Sequence, residues 1–345
     1  MSELQRVGNG ETAPELRGRL MTALPMWMLL HFVLAAVGTG LARRYALTRQ
    51  MVDQPGERRS HGVATPRGGG IAIVGVVLAG IIWLAVNDSA NAVTLGCFAA
   101  GLLLVAAVGW MDDHRPMPAW PRLLVHALAS LLLAWGVHWS SPGLIGPVVA
   151  FVLAMALVNV WNFMDGIDGL AGSQALIVAL SVALILAGGA WGWIAAGLAA
   201  AVAGFLPFNF PKARIFLGDV GSGALGFQLA GLLVAAFQAD RTSWPLLLLP
   251  ISAFLVDASF TLGMRMLRRE RWWTPHVQHT YQKWAVHRGS HVGVTVAYAG
   301  FSLLAVFMGL LAMRWADYWS VGISLVWFAG AGSLWMYMRR DVSDE

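Results

Sequence analysis

The chain has 345 residues, of which 58% are hydrophobic and only 12% charged, and its mean hydropathy is +0.65. One soluble core does not use that much apolar residue, so the composition is that of a membrane protein. The net charge of +5 lies in short basic patches between apolar runs, which speaks against a nucleic-acid surface and for topology signals. Cys97 is the one cysteine and falls in an apolar run, which excludes a disulfide framework and a thiolate zinc site.

A polar segment, 1–22, comes first, and its first twenty residues are expected to be mobile. Runs long enough to cross ~30 Å of hydrocarbon follow near 24–42, 70–86, 93–110, 121–139, 143–161, 172–190, 191–208, 221–238, 243–264, 292–313 and 319–338. That is about eleven transmembrane helices, or ten if the turn GGAWGW fails to divide the sixth run from the seventh. The first run is an anchor rather than a cleaved signal, because Arg43, Arg44, Arg49, Arg58, Arg59 and Arg67 behind it resist translocation. With the N-terminus outside and the C-terminus cytoplasmic, eighteen of the 23 lysines and arginines fall on the cytoplasmic side. The fold class is therefore an all-α polytopic membrane protein. A single transmembrane domain, 23–340, carries cytoplasmic loops at 43–69, 111–120, 162–171, 209–220 and 265–291, with a tail at 341–345. Tryptophans at span ends, such as Trp83 and Trp139, suit the headgroup region.

The acidic residues are the informative ones, since a carboxylate near lipid is costly without a task or partner. Asp112 and Asp113 end the third span. If both ionise in a low-dielectric site they repel, so a cation or shared proton is expected between them, or else Arg115 neutralises one. In NVWNFMDGIDGLAG, Asn159, Asn162, Asp165 and Asp168 recur every three residues as a polar stripe, and Gly166 and Gly169 let the backbone approach an anion. NFPKARIFLGDVGSG brings Asn209, Lys212, Arg214 and Asp219 to a polar interruption. Its glycines do not make a Walker loop, but beside two cations and an aspartate they suit a diphosphate, and Phe216 is placed to stack on a base. In the first cytoplasmic loop Arg58, His61 and Arg67 with Gly68 to Gly70 offer an anion site. In the last, His276 and His279 suit phosphate better than zinc. Asp257, inside the ninth span, is expected to face the interior and support the site. Oxygen-only ligands favour Mg²⁺ or Mn²⁺.

In order, DQPGERRSHGVATPRGGG, the Asp112–Asp113 pair, NVWNFMDGIDGL, NFPKARIFLGDVGS and the His276 loop resemble the polyprenyl-phosphate N-acetylhexosamine-1-phosphate transferases, over about residues 24–340. The resemblance implies an enzyme of the bacterial inner membrane with its active site on the cytoplasmic face. It would move a sugar 1-phosphate from a UDP-N-acetylhexosamine to polyprenyl (undecaprenyl) phosphate with Mg²⁺ or Mn²⁺, releasing UMP. It implies further that Asp112 and Asp113 activate the acceptor or meet the metal, and that Asp219 binds the metal. Asn162, Asp165 and Asp168 would shape the diphosphate site, and Asn209 and Phe216 would contact the uridine. The spread histidines of HVQH look like the branch that begins O-antigen rather than the muramyl-pentapeptide branch. Expected partners are the donor, the acceptor, the bilayer and a second copy in a homodimer, and no nucleic acid. A transporter or flippase, the alternative, would place its polar groups near the midplane. A CDP-alcohol phosphotransferase would need an arginine that DGIDGLAG lacks.

Overall fold

The computed structural model describes residues 13–53, 64–241, 243–270, 277–314 and 319–341, with side chains from Ala23 to Arg340. Among them the helices are α1 (Ala13–Thr48), α2 (Ile71–Asn87), α3 (Ala92–His114), α4 (Ala119–Ser140), α5 (Ile145–Met164) and α6 (Leu170–Ile185). Then come α7 (Ala190–Asn209), α8 (Asp219–Ala239), α9 (Ser252–Leu267), α10 (Thr280–Arg288), α11 (His291–Ala312) and α12 (Ser320–Asp341). Each predicted apolar run forms a helix. Nine of these are long and apolar enough to cross a membrane. The other two, α2 with 17 residues and α6 with 16, rise only ~24–26 Å at ~1.5 Å per residue. GGAWGW does divide α6 from α7, with Gly188 at φ +91°.

Three features depart from the sequence expectation. α1 begins at Ala13, inside the segment expected to be mobile. A minimal antiparallel pair, β1 (Val52–Asp53) with β2 (Thr65–Pro66), stands in the first loop, so the fold is not purely helical. The ninth span opens as a 3-10 segment, Trp244–Ile251, because Pro245 and Pro250 remove amide donors from the α ladder.

The bundle is built around α8, whose apolar window is wholly enclosed by protein and which packs on α3 and α5. Lipid tails give helices no hydrophobic reason to associate, so close van der Waals approach has to do it. Small residues allow that here: a Cβ on Gly226 would strike the Leu157 carbonyl, and one on Gly231 the Phe98 ring.

Two buried carboxylates fix the polar end. Asp113, at the end of α3, accepts the backbone N–H groups of Asp219 (3.1 Å) and Val220 (3.1 Å) at the start of α8. Asp257, within α9, accepts the N–H groups of Thr280 (2.9 Å) and Tyr281 (3.0 Å) at the start of α10. It also accepts the Tyr298 hydroxyl (2.8 Å) and the Trp335 indole N–H (3.1 Å). Each aspartate thus satisfies the unpaired donors of a helix it does not belong to, and the positive helix end offsets its charge.

Asp257→Ala leaves five buried donors without this acceptor, the Thr261 hydroxyl (3.2 Å) included, at ~1–3 kcal/mol each. The detergent-solubilised variant should melt well below the parent and become trypsin-sensitive at Lys283 and Arg288. Unchanged melting and digestion would remove Asp257 as the anchor of α10.

Candidate active site

At one end of the bundle the last turns of α3 and α5 and the first turns of α4, α8 and α10 enclose a recess of about 460 Å³. Asp112, Arg122, His126, Asn159, Asn162, Asp165, Asp219 and His279 line it. One nitrogen organises the acids: Arg122 Nη1 donates to Asp112 Oδ2 (2.7 Å) and to Asp219 Oδ2 (2.9 Å). Asp112 Oδ1 takes the Met117 N–H at 2.5 Å. Asp219 Oδ1 takes the Asn162 amide at 3.1 Å, and the same amide reaches Ser222 Oγ at 3.2 Å. Asp165 caps the C-terminus of α5 and is half-buried. Burial first, and then the charge of Asp113, push its carboxyl up to about 7. The last loop closes the recess, where the Tyr281 hydroxyl donates to the Phe163 carbonyl at 3.0 Å.

Asp112 and Asp113 point to different places rather than to one shared site. Residues adjacent in a helix point ~100° apart, so Asp112 faces the recess while Asp113 turns behind it to α8. The guanidinium beside Asp112 is that of Arg122, not Arg115. The polar stripe on α5 reaches Asp165 but not Asp168, because the helix ends at Met164. Asp168 lies outside the recess, with its carboxylate 3.5 Å from His291 Nδ1 and its carbonyl accepting the Thr295 hydroxyl.

The glycine-rich segments are used for close packing rather than as open anion cradles. Gly69 and Gly70 donate to the carbonyls of Phe216 (2.9 Å) and Leu217 (2.8 Å), and the Phe216 N–H returns to Pro66 (2.8 Å). Gly218 sits at φ +76°, where a Cβ would meet Asp113 Oδ2 and the Gly68 backbone. Arg67 binds the back of the site, with Nη2 on the Asp113 carbonyl at 2.6 Å. Asn209 is buried and bridges two loops, accepting from the Gly169 N–H and donating to the Ile215 carbonyl. Lys212 is exposed outside the recess. His279 has its ring edge 3.8 Å from Asp257. Arg58, His61 and His276 lie outside the described residues.

Arg122 and His126 are the site residues that sequence reasoning missed. Arg122 read as one more basic residue at a span end. Only its position one turn into α4, across from Asp112, gives it away.

The donor set bears on a metal. Among the described residues no three His, Cys, Asp or Glu side chains form a ready metal group. Mg²⁺, however, commonly takes one or two carboxylates and completes its shell with water and phosphate oxygens. Asp112 and Asp219, each with an oxygen on the same cationic nitrogen, fit that requirement. Asp113 does not, since it turns behind the recess to the start of α8.

A family model described as glycosyl transferase family 4 matches residues 95–237, the stretch carrying Asp112, Asn162, Asp165 and Asp219. A decaprenyl-phosphate N-acetylglucosaminephosphotransferase of Mycolicibacterium smegmatis is 31% identical over 283 residues, 69% of this chain and 68% of that protein. The chain belongs to glycosyl transferase family 4. Within the family, a probable undecaprenyl-phosphate N-acetylglucosaminyl 1-phosphate transferase of Bacillus subtilis is 27% identical over 282 residues, 75% of this chain and 77% of the relative. A phospho-N-acetylmuramoyl-pentapeptide-transferase of Thermosynechococcus vestitus is 31% identical over 260 residues, 66% and 67% respectively. Both branches of this glycosyl transferase family therefore match at similar identity.

The raised carboxyl of Asp165 has a consequence for stability. The folded state holds a proton there that the unfolded chain releases near pH 3.8, so this group favours folding below that pH and loses the benefit as pH rises to about 7. Asp165→Asn should therefore gain thermal stability relative to the parent between pH 4.5 and pH 7.5. A melting difference that does not change with pH would rule out the shift.

Proposed function

We propose that this membrane protein transfers the N-acetylhexosamine 1-phosphate of a UDP-sugar to polyprenyl phosphate, releasing UMP and leaving a polyprenyl-diphosphate sugar. The observation that carries the reading is the recess itself. Three carboxylates from three helices converge with one guanidinium at a single end of an apolar bundle, in a chain whose relatives are named for this transfer. Polar groups crowded at one end suit an enzyme whose acceptor lies in lipid with its phosphate at the interface, and do not suit a transporter.

An oxygen of the acceptor phosphate attacks the phosphorus that bears the sugar, the bond from that phosphorus to the bridging oxygen breaks, and UMP leaves with that oxygen. Such a reaction needs alignment and charge neutralisation more than covalent help. Three carboxylates alone would repel two phosphate substrates. Mg²⁺ or Mn²⁺, held by Asp112 and Asp219, would supply that neutralisation and make UMP a better leaving group. Arg122 binds phosphate oxygens and offsets the charge of the two aspartates that meet at its guanidinium. Asp165 has a carboxyl poised near neutral pH and accepts the proton of any acceptor still singly ionised, since a phosphate monoester loses its second proton near pH ~6. Asn162 orients Asp219.

The basic residues gathered at this end, Arg43, Arg49, Arg67, Arg122 and Arg214 among them, support a site facing the bacterial cytoplasm under the positive-inside rule, with the N-terminus outside. Nucleotide sugars are made on that side. The product would enter O-antigen or a related envelope polysaccharide.

Membranes holding this protein should exchange labelled UMP into a UDP-N-acetylhexosamine only when polyprenyl phosphate and Mg²⁺ are both present. No exchange with any N-acetylated UDP-sugar would refute the proposal. Asp219→Asn should lower turnover ~10²-fold or more while inserting normally, and near-normal exchange would remove Asp219 from the site. Arg122→Ala should raise KM for the donor and lower kcat, and unchanged kinetics would relegate it to a structural role.

A further inference from the structure

Further along α10 from the recess, α9, α10, α11 and α12 enclose a second cleft of about 260 Å³. Its walls are apolar and aromatic, with Trp284, Tyr298, Phe301, Trp335 and Tyr337 prominent, and Arg288 is its one charged lining residue. Its volume falls below the ~300–1,000 Å³ of a pocket that swallows a whole small ligand. It suits a chain segment whose headgroup stays outside.

What surrounds it is basic. Arg288 lies over the Trp284 ring at 5.3 Å, and Arg339 over the Trp335 ring at 5.0 Å. Arg339 is tied to the last loop by donating to the Gln278 carbonyl at 3.2 Å. Lys283 on α10 and Arg268 at the end of α9 complete the rim. Burial, and then the charges of Arg339 and Arg268, hold the Lys283 ammonium below its ordinary range. Cations collected this closely repel one another unless an anion joins them. Of the nearby acids, Asp257 and Glu270 both act on Arg339, but Glu270 is also engaged by Arg265 (3.3 Å) and Gln278 (3.0 Å) and Asp257 by its helix-end donors, which leaves the cations in excess. Apolar aromatic walls, a basic mouth and a position at the polar end of the bundle together match an acyl chain with a phosphate above it.

We propose that this cleft binds an anionic phospholipid of the surrounding bilayer, one acyl chain between α10, α11 and α12 and its phosphate among Lys283, Arg288 and Arg339. Such a lipid would be more than an annular neighbour. Tyr298 and Trp335 line the cleft and both donate to Asp257, which holds the start of α10, and that start closes the recess through Tyr281. Filling the cleft therefore steadies the start of α10 against the candidate active site.

The test needs no turnover, so it stands or falls separately from the proposed reaction. Delipidated full-length protein in detergent is offered phosphatidylglycerol, phosphatidylcholine of the same chains, or polyprenyl phosphate, and retention is read by native mass spectrometry with melting in parallel. Phosphatidylglycerol should be retained preferentially and raise the melting temperature. Lys283→Ala and Arg288→Ala should each reduce that retention about five-fold, the size expected for one basic residue beside an anionic headgroup. Ala297→Phe, which fills the cleft and leaves the cations in place, should abolish it without lowering the lipid-free melting temperature. Equal retention of both phospholipids, full retention by Ala297→Phe, or displacement by equimolar polyprenyl phosphate would each overturn the proposal.

Discussion

The structure depends on carboxylates placed where lipid surrounds the protein and answered by the amide ends of other helices. A charge in hydrocarbon is expensive, and so are the free N–H groups of a helix that starts inside protein. Asp113 and Asp257 cancel one liability against the other. Asp113 thereby fixes where α8 begins, which fixes Asp219. Asp257 fixes where α10 begins, which fixes His279, Tyr281 and the near wall of the recess. Neither side chain faces the recess, yet both determine its shape.

This arrangement separates two kinds of acidic residue that look alike in sequence. Asp113 and Asp257 are buried and turn away from the recess toward the amide ends of other helices. Asp112, Asp165 and Asp219 line the recess itself. Arg122 donates to two of them from one nitrogen and offsets their charge where they meet. The meeting of acids at one end of the bundle is thus kept electrically tolerable.

The spans were legible because hydropathy is an additive property of consecutive residues, and a membrane imposes nearly one length on all of them. The side of the membrane was suggested by the same local counting of Lys and Arg. The site was legible only in outline. Asp112 and Asp113 read as a pair because they are neighbours in the chain, but helical rotation sends them to different places. The Gly68–Gly70 and GDVGSG runs read as phosphate cradles, yet their amides meet carbonyls and a carboxylate brought from distant segments. α10 has nine residues and little apolar periodicity, and it owes its position to Asp257. The β1–β2 pair is two residues long on each side and leaves no pattern. What escaped the sequence was what depends on partners far away in the chain.

α8 lives in two solvents in succession. Its leucines and valines satisfy lipid when the segment first enters the bilayer, and its apolar window is as hydrophobic as those of spans that stay exposed. Later the same surface is entirely covered by protein. Gly226 and Gly231 contribute nothing to the first stage and become necessary only when Leu157 and Phe98 draw near. Insertion and enclosure are therefore encoded by different residues of one helix, and damage at its glycines is a fault of assembly that the insertion machinery has no means of detecting.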